Sequence, residues 1–295
     1  MIQLSRIRPA NALAATAVAA VLLAAGCSSG DPIGIEDDKT ADTKLDGDLA
    51  DITLTPESPL NAQQLAATAD IVRKRATAIE LPVKTVTVGD GTLVVRASRT
   101  KFGADTKQRV AGAARRGQLT LRPVTSATPV GVPAVPAPPG SAPPSDGSAA
   151  AECGGPNQPR VDTPTEPLTA CDVKRQEKLV LAPAVMTGAD VDTATVAKPD
   201  GTTTSWQINL KWTAQGQDAF TKLTARASGG ELPTNRVAIV SDGVVLTAPS
   251  VMSVIPGNAV ITGEYTQDAA RELAAIIDAG ALPTGFTVSA VVDVP

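Results

Sequence analysis

The sharpest pattern of apolar and polar positions lies at residues 235–283. An apolar run of strand length at 237–240 is followed by Asp242-Gly243 and then by a second apolar run at 244–246. Asp-Gly between two such runs is the strongest short signal for a two-residue hairpin. The sequence therefore predicts two antiparallel strands joined at this dipeptide.

The end of the same stretch predicts a helix. Thr266 is a residue type that caps helix N-termini, and Gly280 followed by Pro283 is typical of a helix end. The apolar residues between them are Ala269, Leu273, Ile276 and Ile277. Their spacing places them on one face, as expected for a helix packed against a core.

Residues 52–124 contain a complete alternation of strand and helix patterns. In order, the predicted elements are a strand at 52–55, a helix at 61–79, strands at 83–88 and 93–97 around Gly89-Asp90-Gly91, a helix ending at Gly117 and a strand at 118–124. This β-α-β-β-α-β order is that of a ferredoxin-like fold. Further along, strict alternation at 205–212 predicts a strand with one apolar face, and 286–294 is apolar enough for one more strand.

Composition and charge argue against several classes of function. The 295-residue chain is 43% hydrophobic and carries a formal net charge of −4, so a nucleic-acid partner is not expected. The sequence contains no histidine, which is the usual general base and the commonest metal ligand. Zinc-ligand spacings, calcium loops and phosphate loops are missing as well. These features predict a protein that is not an enzyme and that uses no metal and no cofactor.

The N-terminus has the pattern of a lipoprotein signal peptide at residues 1–26. Arg6 and Arg8 precede an apolar stretch at 12–26, and residues 22–27 read LLAAGC, which resembles a bacterial lipobox. The resemblance implies that the Cys27 thiol carries a diacylglycerol. Acyl chains such as palmitate would then hold the protein at the extracytoplasmic face of the cell membrane. An ordinary secretory signal with a chance cysteine is the alternative.

Two segments lack the patterns of packed structure. Residues 27–51 are polar and acidic, which predicts a flexible tether, with an acidic binding tail as the alternative. Residues 125–170 are rich in Pro, Ala and Ser, which predicts a disordered insertion. Outside the cytoplasm, Cys153 and Cys171 are an even pair and are expected to form a disulfide, unless they remain two free thiols.

Residues 235–283 also carry five short motifs in a fixed order. They are Asn235, Ala238-Ile239-Val240, Asp242-Gly243, Ala248-Pro249 and, at 279–283, Ala-Gly-Ala-Leu-Pro. Together they resemble the head part of the first periplasmic domain of the SecD family, also found fused as SecDF. Ser241 and Thr247 stand where that family usually has Leu and Ser. In the earlier segment, Arg122-Pro123-Val124 resembles the end of a strand in the base of the same domain.

The resemblance implies an α+β protein with a ferredoxin-like base at 52–124, an inserted head at 171–283 and a C-terminal strand at 284–295 that returns to the base. It implies an accessory protein that binds exported or unfolded polypeptide or components of the Sec translocon. SecD continues into transmembrane helices that use the proton gradient. No later run of about 18 apolar residues occurs in this chain, so no proton-driven activity is expected. The alternative is an orphan envelope lipoprotein that uses the fold as a scaffold or ligand-binding module.

Two groups of residues are candidates for binding. Val251, Met252, Val254 and Ile255 either line an apolar groove for an extended polypeptide or fill the core of the head. A basic group in the base segment either meets anionic lipid or the translocon, or is a solvated face. The members of this basic group are Arg96, Arg99, Lys101, Arg109, Arg115 and Arg116.

Overall fold

The computed structural model describes residues 49–130, 153, 162–199 and 204–294. In chain order these residues form β1 (Leu49–Pro56), α1 (Ala62–Ala78), β2 (Val83–Gly89), β3 (Thr92–Ser98), α2 (Thr106–Ala113), β4 (Leu119–Pro129), β5 (Leu168–Cys171), β6 (Glu177–Leu181), β7 (Met186–Thr187), β8 (Val191–Ala197), β9 (Trp206–Trp212), α3 (Ala214–Ser228), β10 (Val237–Ser241), β11 (Val244–Thr247), β12 (Ala259–Tyr265), α4 (Gln267–Ala279) and β13 (Phe286–Val294). The predicted α+β class is confirmed. The predicted signal peptide with Cys27, most of the predicted tether and most of the Pro-rich insertion lie outside the described residues.

The first sheet, together with α1 and α2, forms the base. Its strand order is β13-β1-β3-β2, and all neighbours are antiparallel. Elements β1, α1, β2, β3, α2 and β13 make up a ferredoxin-like β-α-β-β-α-β set. Its closing strand is β13, which pairs with β1 from Leu49↔Val294 to Pro56↔Phe286.

The strand predicted at 118–124 to close the base does not lie there; it begins β4 in the second sheet. The physical reason is burial. Leu119, Thr120, Leu121 and Arg122 are all buried, which requires cover on both faces of the strand. The edge of the base sheet is taken by β13, most of whose residues between Thr287 and Asp293 are exposed.

The elements from β4 to α4 form the head, and its first part is a strongly curled sheet. The strand order is β11-β10-β4-β6-β5, with β7 also beside β4. At the far edges Asp172 bridges Val245 in the parallel sense, so the two ends of the sheet meet. The side chains that fill the space inside include Val124, Leu179, Leu181, Ala238, Val240 and Val245.

The second part of the head is a three-stranded sheet, β12-β9-β8. The alternation predicted at 205–212 is present in β9, where Ile208, Leu210 and Trp212 are buried while Asn209 and Lys211 are exposed. Helices α3 and α4 pack against this sheet, and α4 also packs against α1 of the base. Helix α4 therefore belongs to both cores.

Candidate functional site

The loop between β11 and β12, residues 248–258, is the candidate binding surface and is called the head loop. Hydrogen bonds fix it at both ends. Near its start, the Val251 N–H donates to the carbonyl oxygen of Asn235 at 2.8 Å. Near its end, the Ile255 N–H donates to Thr224 Oγ1 at 3.1 Å. The loop is thus tied to α3 and to the segment that follows α3.

The four predicted polypeptide-binding residues divide into two pairs on this loop. Val251 is only 6% exposed and packs in the head core, which favours the core alternative for this residue. Ile255 is half-buried against the same core. Met252 is 83% exposed and Val254 is 46% exposed. The buried pair holds the loop in place, and the exposed pair presents apolar surface to solvent.

Two further exposed apolar side chains lie on the flanking segments. Leu232, 72% exposed, belongs to the connection from α3 to β10 whose Asn235 carbonyl holds the head loop. Val260, 46% exposed, lies in β12 directly after the loop. Neither was predicted from the sequence. Leu232, between Glu231 and Pro233, carries no periodic signal, and the apolar run of Val260 with Ala259 and Ile261 does not tell which side chain faces solvent. Larger groups of exposed apolar residues mark interaction sites.

The support beneath the loop is rigid. Thr224 Oγ1, which accepts from Ile255, also donates to the carbonyl oxygen of Phe220 at 2.9 Å. The Phe220 ring packs on Trp212 with centroids 4.9 Å apart. Gln217 Nε2 donates to the carbonyl oxygen of Gly257 at 3.3 Å. One buried face of α3 therefore positions the whole second half of the loop.

The hairpin next to the loop has a second structural role. Asp242 and Gly243 have φ of 49° and 75°, the left-handed values that a two-residue hairpin turn needs. The Asp242 carboxylate is 2% exposed and accepts from the N–H groups of Gly117 and Gln118 at 3.2 and 2.8 Å. The turn thereby fixes the connection from the base to β4. The sequence indicated the turn but not this carboxylate contact.

Arg75 of α1 holds the two connections between base and head together. In the connection from the base to the head, its guanidinium donates to the carbonyl oxygens of Ala113 and Arg116 at 3.0 and 3.2 Å. In the connection from the head back to the base, it donates to the carbonyl oxygen of Gly280 at 2.6 Å. Burial lowers the pKa of Arg75 to about 10, and the nearby Asp242 partly offsets this. This buried side chain therefore joins the outgoing and the returning connection.

Arg122, from the motif that resembled the family, carries the largest polar network of the head. It and Asp162 are both fully buried and joined by an ion pair of 2.5 Å. Arg122 also donates to the carbonyl oxygens of Thr163, Glu166 and Ala182 at 2.8–2.9 Å. Residues 162–166, which belong to the insertion predicted at 125–170, are therefore held against β4, so the prediction of disorder is wrong for this part of the segment.

Cys153 and Cys171 are joined by a disulfide, with Cα atoms 5.8 Å apart. Cys171 is the last residue of β5, so the bond ties a residue of the Pro-rich insertion to the curled sheet. The bond closes a loop with a sequence separation of 18.

The predicted basic group is dispersed and largely paired. Its ion pairs are Arg96 with Asp51, Arg99 with Asp293, Lys101 with Glu80 and Arg109 with Asp268. In the described part of the chain, no cluster of His, Cys, Asp or Glu is arranged to hold a metal ion. Among the same residues, none of the helices has the length and apolar character needed to cross a membrane.

Residues 165–284 match the sequence family described as SecDF, P1 head subdomain. Over 127 residues the chain is 33% identical to protein translocase subunit SecD of Streptomyces coelicolor. The aligned residues make up 42% of this chain and 22% of that protein. Over 111 residues it is 35% identical to protein translocase subunit SecDF of Thermus thermophilus. These aligned residues make up 37% of this chain and 14% of that protein. The chain spans about a fifth of the length of the first curated relatives it matches.

Two solved structures share the fold. One, described as the structure and function of a membrane component SecDF that enhances protein export, gives a TM-score of 0.53 at 20% identity and covers 81% of this chain and 98% of that chain. The other, a crystal structure of SecDF in a super-membrane-facing form, gives 0.58 at 20% identity and covers 84% of this chain and 30% of that chain. The shared architecture therefore extends beyond residues 165–284, to most of the chain.

Proposed function

We propose, from the premise that the chain carries a SecD P1-like domain, that it is a lipid-anchored, extracytoplasmic accessory of protein export. In this proposal the head loop contacts exported or unfolded polypeptide near the Sec translocon. The family resemblance predicted from the sequence is confirmed, and the relatives are named as protein translocase subunits. The activity itself is our proposal.

The observation that carries the proposal is the exposure of Met252 and Val254 on a loop with fixed ends. A flexible apolar loop would collapse onto the protein, whereas Val251 and Ile255 hold this one away from such collapse by packing into the core. Methionine is unbranched and polarizable, so it adapts to many apolar partners. An unfolded chain of any sequence offers such partners.

The neighbouring strand β12 supplies backbone groups for the same purpose. It is the last strand in its sheet order and follows directly from the head loop. An extended polypeptide can add to such an edge through main-chain hydrogen bonds, which do not depend on sequence. The loop would then hold apolar side chains while the edge holds the backbone.

The anchor in this proposal is the lipid on Cys27. Cells grown with an alkyne-tagged fatty acid should label the chain, and Cys27→Ser should abolish the label and release the protein from the membrane fraction. A labelled Cys27→Ser variant, or a wild-type chain found unlabelled outside the membrane fraction, would contradict the anchor.

The polypeptide contact is tested by photo-crosslinking in intact cells. A photoreactive amino acid replaces Met252 in one variant and Val88 in another. Val88 is a matched control, since it is 44% exposed but lies on β2 of the base. The proposal predicts that position 252 captures exported chains or translocon subunits and that position 88 does not. Capture of a single unrelated envelope protein at position 252 would favour the scaffold alternative, and equal capture at both positions would refute a specific site.

A further inference from the structure

Sulfur chemistry distinguishes one residue of the head. Within residues 49–130, 153, 162–199 and 204–294, sulfur is carried by Cys153, Cys171, Met186 and Met252. The two cysteines are joined in a disulfide and have no thiol. Met186 is 1% exposed, whereas Met252 is 83% exposed. In this part of the chain, Met252 alone therefore presents a thioether to solvent.

The contrast between the two methionines follows from how each is held. Met186 lies in β7, pairs with Leu121 of β4 and packs in the head core. A reagent reaches its thioether only if this part of the head opens. Met252 follows the buried Val251 on the head loop, whose ends are fixed by hydrogen bonds. Its exposure therefore belongs to the folded state and requires no opening.

Oxidation of this thioether changes what the head loop presents to a partner. Methionine sulfoxide is polar, and its oxygen accepts hydrogen bonds. An apolar side chain that covers the sulfoxide removes this oxygen from water without offering it a donor, which is unfavourable. The other exposed apolar side chains on the loop and its flanking segments are aliphatic, namely Leu232, Val254 and Val260. Of these four side chains, only Met252 can change from apolar to polar by oxidation at sulfur.

We propose that Met252 is an oxidation site, and that its conversion to the sulfoxide by a peroxide weakens the binding of polypeptide at the head loop. The sulfur lone pair forms an S–O bond with one peroxide oxygen while the O–O bond breaks. Sulfur loses two electrons, and the other oxygen of hydrogen peroxide takes the proton of the transferred hydroxyl group and leaves as water. The oxidation site rests on the contrast in exposure, whereas its effect on binding rests on the proposed function of the head loop.

The first experiment tests the oxidation site without reference to binding. The full chain with Cys27→Ser, which leaves no thiol outside the disulfide, is treated with hydrogen peroxide. Peptide mass spectrometry then follows the gain of one oxygen atom at each methionine. Relative to their rates in guanidinium chloride, where both are exposed, Met252 should be oxidised at least about tenfold faster than Met186 in the folded protein. Equal relative rates in the folded protein would overturn the site.

The second experiment measures the effect on binding, with a fluorescein-labelled, extended apolar peptide that contains no methionine. Each protein is compared with itself before and after peroxide treatment, so that a direct effect of a substitution on affinity cancels. Treatment should weaken binding about fivefold in the chain with both methionines and in its Met186→Leu variant. The Met252→Leu variant should show no change on treatment. A loss of affinity as large in Met252→Leu would overturn the proposal, because the sensitive group would then lie elsewhere.

Reversal of the reaction assigns the effect to the sulfoxide. Methionine sulfoxide reductases A and B each reduce one sulfoxide epimer, so the two enzymes together should restore the original affinity. The reductant alone, which can open the Cys153–Cys171 disulfide, is the control and should not restore it. Affinity restored by the reductant alone would contradict the assignment to Met252.

The oxidation site and the proposed function fail separately. An untreated protein that does not bind the peptide contradicts the proposed function and with it the effect on binding, while the mass spectra still decide whether Met252 is an oxidation site. Selective oxidation of Met252 that leaves a measured affinity unchanged refutes the effect on binding and leaves the proposed function standing.

Discussion

The base and the head each cover antiparallel sheets with helices, but they differ in the burial of one ion pair and in the apolar surface of one loop. The ion pair across the base sheet, Asp51 with Arg96, lies at the surface with side chains 24% and 42% exposed. The corresponding pair of the head, Arg122 with Asp162, is fully buried. The head meanwhile leaves Met252 83% exposed.

This difference shows how a protein can keep an apolar loop in water. Exposing Met252 and Val254 is unfavourable, so the surrounding structure must prevent them from folding back. The core contacts of Val251 and the hydrogen bond from the Ile255 N–H to Thr224 Oγ1 hold the loop on either side of them. The base has no comparable apolar loop among its described residues, and its surface ion pairs are of the kind that contribute little to stability.

The sharpest way to break this comparison is to remove the buried arginine. Arg122→Met leaves the Asp162 carboxylate buried without its partner and should lower the free energy of unfolding by about 3–5 kcal/mol. The matched variant Arg96→Met breaks the exposed pair of the base and should lower the free energy of unfolding far less, because exposed ion pairs contribute little to stability. Urea denaturation followed by circular dichroism measures both. Similar losses in the two variants would contradict the contrast between buried and exposed pairs.

A second prediction concerns the disulfide of the head. The double substitution Cys153→Ser with Cys171→Ser should lower the free energy of unfolding by about 3 kcal/mol, because a closed loop of this size restricts the unfolded chain. Thermal unfolding of wild type with and without reductant gives an independent value. A double variant as stable as wild type, or a wild type insensitive to reductant, would remove the disulfide from the account.

A third prediction compares two glycines that both have positive φ. A Cβ at Gly117, between base and head, would lie 2.4 Å from Ile276 Cγ2 and 2.6 Å from Arg75 Nη2, whereas one at Gly91 in the β2–β3 turn would meet open space. Both substitutions strain the backbone, but only Gly117→Ala also overpacks its surroundings. Gly117→Ala should therefore lower the free energy of unfolding by about 1–3 kcal/mol more than Gly91→Ala. Equal losses, measured by chemical denaturation, would mean that the junction is loosely packed.

The smallest expected effect is a pH dependence in the base. The hydrogen bond from Arg96 lowers the pKa of Asp51 below its ordinary value of 3.8. A lowered folded-state pKa gives stability that is present above the ordinary pKa and is lost as the pH falls through the folded-state pKa. The stability difference between wild type and Asp51→Asn, below about 1 kcal/mol at pH 7, should therefore shrink between pH 5 and pH 3. A difference that stays constant over this range would contradict the assignment.

Local features of the fold were predictable because they rest on local chemistry. Asn61 and Gln64, at the start of the helix predicted at 61–79, form a capping box at α1, Thr266 caps α4, and Asp242 with Gly243 makes the hairpin turn. Each depends on residues within a few positions of one another. The alternation in β9 likewise reports directly which side chains face a core.

Long-range features could not be read from the sequence. Two apolar segments, at 118–124 and 286–294, were both suitable as the closing strand of the base. The choice between them depends on whether other elements of the fold pack on one face or on both faces of the strand. Arg122 reads as a surface residue because arginine is almost never fully buried without a partner, and its partner Asp162 is 40 positions away. At 251–255, only the first and last side chains contact the core, so the segment has no regular period, and Val251 and Met252 looked equivalent.

The central claim is that the exposed pair on the head loop binds unfolded polypeptide, and fluorescence anisotropy tests it most directly. The full chain is titrated into a fluorescein-labelled, extended apolar peptide, and wild type is compared with the double variant Met252→Ser, Val254→Ser and with the control Val88→Ser. Losing two apolar contacts should weaken binding at least about tenfold, while thermal unfolding and the control remain unchanged. Equal affinity in all three proteins would contradict the account.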